Sequence, residues 1–212
     1  MTARIDDSTP PDSAADTLGA RERILSAAFE LFHESGYAGT SVTRIARAAG
    51  MTPAAIYWHF PSKQDVLAAM LKRMYETSYS DLRGSVRTEG SATERLGDYV
   101  RAYVRIQLED LGDRRNHSYS ALASSLTTED QRALGLLSRP YIELLREILQ
   151  QGVQSGTFDI DDMSVTSYAI STMCENVFTW FRVGGRLSID EVAEHHFRLV
   201  LRMVNATPAR PA

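Results

Sequence analysis

Val42-Thr43-Arg44-Ile45-Ala46-Arg47-Ala48-Ala49-Gly50-Met51-Thr52-Pro53-Ala54-Ala55-Ile56-Tyr57-Trp58-His59-Phe60-Pro61-Ser62-Lys63 compresses the boundaries of three helices into one short stretch. Arg44, Ile45, Ala48 and Ala49 recur at helical spacing, and Gly50 supplies the left-handed residue that ends a helix without a Cβ penalty. Thr52 is a good N-cap, and Pro53 occupies the first helical position, where its missing N–H is not needed. Ser62 repeats the capping logic, with Asp65 three residues on favouring the positive helix end. Helix, glycine turn, helix is the pattern of a helix-turn-helix, whose second helix enters the major groove of DNA. Ala54 and Ala55 keep the front of that helix slim enough to approach base edges. Tyr57, His59 and Lys63 offer donors suited to phosphate oxygens.

Together with Ala28-Phe29-Glu30-Leu31-Phe32 and Gly36-Tyr37 upstream, the stretch resembles the DNA-binding domain of the TetR family of bacterial transcriptional regulators. The resemblance implies binding of double-stranded DNA at a palindromic operator. On that reading Thr43 and Arg44 meet DNA at the start of the first short helix, although Arg44 fits a solvent-facing position equally well. Thr52, Tyr57, His59 and Lys63 hold phosphates, Ala54 and Ala55 contact bases, and Trp58 completes the DNA-binding set.

At 212 residues the chain can bury a substantial core. No apolar run is long enough to cross a bilayer, and the N-terminus lacks the basic and apolar regions of a signal peptide, so a cytoplasmic protein without membrane contact is expected. Cys174 is the one cysteine, too few for an intramolecular disulfide or a cysteine-based zinc site. The net charge of −4 is unevenly spread: residues 1–17 carry −3, residues 18–75 carry +3 and residues 76–212 carry −4. The helix-turn-helix therefore lies in the positive segment of an acidic chain, and local charge has to attract DNA.

In chain order, residues 1–17 read as a disordered tail. Arg4 is its one candidate for the minor groove, against four neighbouring Asp; an inert tail is the simpler reading. Residues 18–80 form the DNA-binding domain. A supporting helix from about Leu18 to Ser35 ends at Gly36, and Phe29, Phe32, Ile45 and Phe60 are expected in a small core. A helix from Ser62 continues through Val66, Leu67, Met70, Leu71 and Met74 to about Tyr79 and belongs to both halves. Gly84 and Gly90 bracket a break. Residues 81–205 read as helix throughout, over 93–111, 117–126, 129–155, 161–183 and a last helix capped by Ser188 and Glu191; residues 206–212 are a second tail. The fold class is all-α, an N-terminal three-helix helix-turn-helix domain followed by a C-terminal helical domain for effector binding and dimerisation.

The family resemblance implies that the last two helices pair with their two-fold mates in a homodimer, placing two recognition helices one DNA turn apart. It also implies a pocket between C-terminal helices for a small apolar effector. Met74, Tyr99, Tyr103, Tyr119, Tyr141, Met173, Val177, Phe178, Trp180 and Phe181 are the candidate lining, and ordinary core packing explains each equally well. The stretch Asn176–Ser188 resembles the C-terminal region of actinobacterial TetR regulators of steroid and fatty-acid catabolism, some of which respond to acyl-CoA thioesters. In that case Trp180 packs on the acyl group and Arg182 or a neighbouring Arg meets the phosphates. His195 and His196 are adjacent, point about 100° apart and suit no metal site, so both are assigned to the surface. Cys174 reads as a small packed residue. No phosphate loop, nucleophile elbow, paired-acid motif or cofactor site is legible, which points away from an enzyme. The rival reading is an all-α ligand-binding or acyl-transfer protein with a vestigial helix-turn-helix.

Overall fold

Helix ends in this chain are fixed by short side chains and glycines, and they partition it into nine α-helices among the residues that the computed structural model describes, 14–109 and 122–205. These are α1 (Ala14–Gly39), α2 (Val42–Ala48), α3 (Pro53–His59), α4 (Lys63–Ser85), α5 (Ala92–Glu109), α6 (Thr128–Leu136), α7 (Arg139–Gln154), α8 (Met163–Glu175) and α9 (Ile189–Met203), with a 3-10 turn at Val177–Thr179. No strand occurs among the described residues, so the fold is all-α. Arg4 and Tyr119 lie outside the described residues.

The chain divides into two compact units. The first holds the described residues up to Met74 together with 122–135, and the second holds Tyr75–Glu109 and 136–205. Sequence reading put its boundary at residues 80/81; the units meet within α4, at Met74/Tyr75.

In the first unit, α1 is broken at Gly36, whose φ of 70° and ψ of 170° depart from helical values. Ile24, Leu25, Ala28 and Phe32 of α1 join Ile45, Ile56, Phe60, Val66, Leu67 and Leu71 in a buried core. Phe29, expected in that core, is only half-buried. It sits one position off the Ile24–Ala28–Phe32 stripe and packs on His33, ring centroids 4.4 Å apart.

In the second unit α5 is the central helix, packed against α7, α8 and α9. Leu96, Tyr99, Val100, Tyr103 and Val104 of α5 share one core with Leu144, Leu145, Ile148, Ile170, Cys174, Val192, Phe197 and Val200. Gly152 of α7 lies flush against the Phe158 ring, with no room for a side chain.

Two expected helices are interrupted. The periodicity over 129–155 runs through Pro140, but the chain breaks between Leu136 and Arg139 and restarts with Pro140 in the first turn of α7; proline cannot donate in a helix interior and disfavours helical geometry in the residue before it. The helix expected over 161–183 ends at Glu175. Asn176 caps it, and the apolar run that follows is a 3-10 turn leading to left-handed Gly184 at φ 73°. Apolar periodicity alone does not distinguish a helix from a buried turn. His196, assigned to the surface, is buried. It falls on the stripe Val192, Ala193, His196, Phe197 and Val200, its Nδ1 lies 2.9 Å from the Val192 carbonyl oxygen, and its ring stacks on Trp180 at 5.9 Å. His195 is exposed.

Candidate nucleic-acid interface and effector site

Caps determine how α3 is presented. The Ser41 hydroxyl accepts from the Arg44 N–H (3.2 Å) at the start of α2, and Gly50 turns the chain at φ 69°. The Thr52 hydroxyl then accepts from the Ala55 N–H (3.2 Å) to open α3, while its own proton remains available as a donor. Ile56 is the buried anchor of α3. Thr52, Pro53, Ala54, Tyr57 and Trp58 are exposed, Ala55 and His59 half-exposed. Residues 53, 54, 57 and 58 follow helical spacing and form one solvent-facing surface. Tyr57 at 52% and Trp58 at 65% exposure leave two large rings in water, an arrangement that core packing does not explain.

The cations around this surface differ in their commitments. Lys63 Nζ donates to the carbonyls of Tyr37 (2.8 Å) and Thr40 (2.9 Å) and lies 4.0 Å from the Tyr37 ring centroid. Two of its three N–H groups thus fasten α4 to the α1–α2 link, and one remains. Arg44 Nη1 donates to the Gly39 carbonyl (2.9 Å) and the Ser35 hydroxyl (3.2 Å), with Glu34 at 3.8 Å. Thr43 is exposed beside it. Arg47, which sequence reading passed over, is exposed one turn further along α2; its spacing from Arg44 was the available signal.

The candidate effector residues separate into groups. Tyr99, Tyr103, Tyr141 and Val177 are buried. Met173, Phe178 and Phe181 are partly buried against the same core, and Met74 is half-exposed at the end of the first unit. Trp180 is 53% exposed and Arg182 is exposed, so neither joins the buried tyrosines. The tyrosines instead gather two residues that sequence reading left out, Tyr75 and Tyr79. Tyr141 is the hub: its ring lies 5.2 Å from Tyr79, 5.3 Å from Tyr103 and 6.1 Å from Tyr75. Its hydroxyl donates to the Tyr75 carbonyl (2.8 Å), and the Tyr99 hydroxyl donates to the Tyr141 carbonyl (3.2 Å).

Glu175, the last residue of α8, reaches this cluster and accepts from the Tyr75 hydroxyl at 3.3 Å. Burial pushes its carboxyl above the ordinary range, against the opposing effect of that bond. Burial raises Tyr103 and Tyr141 as well, and the Glu175 charge adds to both shifts. Cys174 is fully buried, its thiol pushed up to about 12 by desolvation, which makes it a packed and unreactive group. No group of metal-ligating side chains gathers among the described residues, and no helix there is long and apolar enough to cross a membrane.

Residues 24–70 match the family described as bacterial regulatory proteins, tetR family, and residues 89–204 match the tetracyclin repressor-like C-terminal domain. The chain is 28% identical over 203 residues to the HTH-type transcriptional repressor KstR2 of Rhodococcus jostii (strain RHA1), covering 91% of this chain and 96% of that one. A crystal structure of a tetR-family regulatory protein from Rhodococcus RHA1 superposes with a TM-score of 0.76 at 26% identity, covering 89% and 98% of the two chains. FadR of Bacillus subtilis, solved in complex with stearoyl-CoA, gives a TM-score of 0.71 over 86% of this chain and 98% of its own; at 20% identity that likeness concerns the fold alone.

Proposed function

The chain belongs to the TetR family of helix-turn-helix transcriptional regulators, and from that premise we propose that it is a homodimeric repressor, bound to a palindromic operator and released by a small apolar effector of the acyl-CoA class. The observation that carries the DNA reading is the exposed surface of α3, with Thr52, Ala54, Tyr57 and Trp58 facing solvent on a helix anchored by Ile56. Ala54 and Ala55 approach bases; the Thr52, Tyr57 and His59 donors, the free N–H of Lys63 and the exposed Thr43 and Arg47 take phosphates. Arg44 contributes by bracing the end of α1.

Dimerisation is supported by exposed apolar side chains on the last two helices, Val165 and Tyr168 on α8 and Leu199 and Met203 on α9. Each pair recurs at a helical spacing, so each helix leaves an apolar strip in water. The effector reading is supported by the aromatic interior around Tyr141 and by relatives of the same fold, one a repressor and one solved with an acyl-CoA. Release requires the effector to bind one dimer geometry more tightly than the other.

The test is retardation of a duplex from upstream of the chain's own gene, followed by titration with dodecanoyl-CoA and with ω-hydroxydodecanoyl-CoA. Retardation of a palindromic fragment, reversed by at least one of the two thioesters, is the expected result. Thioester turnover without DNA binding would instead identify the acyl-transfer rival.

A further inference from the structure

Five carboxylates of the second unit are accounted for by arginine partners. Asp98 and Glu94 pair with Arg87, Glu147 with Arg95, Glu194 with Arg101 and Asp190 with Arg105, all at 2.6–2.8 Å. Glu175 is different. It is more buried than it is exposed to water, yet its one side-chain partner among the described residues is the Tyr75 hydroxyl, at a long 3.3 Å. It also ends α8, where the negative pole of the helix disfavours a carboxylate. Desolvation and the helix dipole act against this side chain, and no cation among the described residues pairs with it. A leucine or methionine there would extend the surrounding aromatic packing at lower cost. What the carboxyl adds is a hydrogen-bonding group at the edge of a tyrosine cluster.

Resting on the effector reading above, we propose that Glu175, oriented by the Tyr75 hydroxyl, is the polar end of the effector site and selects an apolar ligand that carries a hydroxyl group. The ligand hydroxyl donates to the carboxyl oxygen that Tyr75 leaves unused. The rings of Tyr79, Tyr103 and Tyr141 take the adjoining hydrocarbon. A plain saturated chain would desolvate the carboxyl without replacing its water, and a site built around a polar group rejects the analogue that cannot bond to it.

Two probe pairs test this on the full-length protein: ω-hydroxydodecanoyl-CoA against dodecanoyl-CoA, and free 1-octanol against octane. Wild type is expected to prefer the hydroxylated member of each pair by roughly tenfold or more in Kd. Glu175→Leu should abolish or invert that preference while still retarding operator DNA, which verifies its folding; Glu175→Gln, keeping an acceptor, should retain part of it. An equal preference in wild type and Glu175→Leu overturns the assignment, as does no preference in wild type on either pair. Preference confined to the octanol pair leaves Glu175 in its role and refutes the acyl-CoA reading instead.

Discussion

The two units place their polar groups in opposite ways. In the first, polar side chains tie the backbone down: Ser41 and Thr52 cap helices, and Lys63 spans two carbonyls of the α1–α2 link. Each of these four bonds joins a side chain to a main-chain group, and the product is a fixed α3 surface. In the second, Glu175 and the tyrosines place polar groups within an aromatic interior, where burial raises their pKa values. The first arrangement suits docking against a rigid partner, since little is ordered on binding. The second places a carboxyl group, one oxygen of which bonds Tyr75, at the edge of an aromatic cluster where a ligand hydroxyl can bond the other. A regulator needs both.

The largest effect expected from breaking this contrast lies in the packed part of the second unit. Gly152→Ala would drive a methyl into the Phe158 ring, and a loss of about 3 kcal/mol is expected, at the upper end of overpacking costs. Thermal unfolding should register it as a lower Tm. A variant as stable as wild type would show that Phe158 has room to move.

Lys63→Ala probes the bracing of the first unit. Its two carbonyl bonds and the Tyr37 contact predict destabilisation of about 1 kcal/mol or somewhat more, and the remaining N–H predicts weaker binding to all DNA sequences alike. The log–log salt slope should fall by roughly 0.9 if one phosphate contact goes. A stability loss with an unchanged slope would make Lys63 a brace only.

The smallest effect is a pH dependence. Glu175 has a folded-state pKa raised above its unfolded value, so the folded state holds that proton more tightly. Its carboxyl therefore favours folding at acid pH, and that contribution is lost as pH rises from the ordinary carboxylate range through the raised folded value. Glu175→Gln should gain stability relative to wild type across this window, measured as Tm against pH. A constant difference between the two proteins would mean that Glu175 titrates normally.

Legibility in the sequence followed the range of the determining interaction. Gly50, Thr52-Pro53 and Ser188 with Glu191 announce helix ends through contacts three or four residues long, and the structure has them as read, including both bonds of the Ser188 capping box. Pro140 was equally local, but strong apolar spacing on either side masked it. The end of α8 was not legible, because Val177-Phe178-Thr179-Trp180-Phe181 continues the apolar pattern while the backbone turns. His196 and Glu175 were hidden for a related reason: a polar residue on a buried stripe finds its partners, Trp180 and Tyr75, across tertiary distances. For the same reason Trp180 and Arg182, read as effector contacts, lie exposed, while Tyr75 and Tyr79 had to be found in the fold.

For contact between the exposed surface of α3 and DNA the chain contains its own reporter, since Trp58 and Trp180 are its two tryptophans. In a Trp180→Phe variant Trp58 is the sole indole, and its emission can be followed while operator duplex is added. Quenching or a spectral shift that saturates with retardation, and reverses as salt strips the complex, is the predicted result; emission that stays unchanged while the DNA is fully bound would contradict the account.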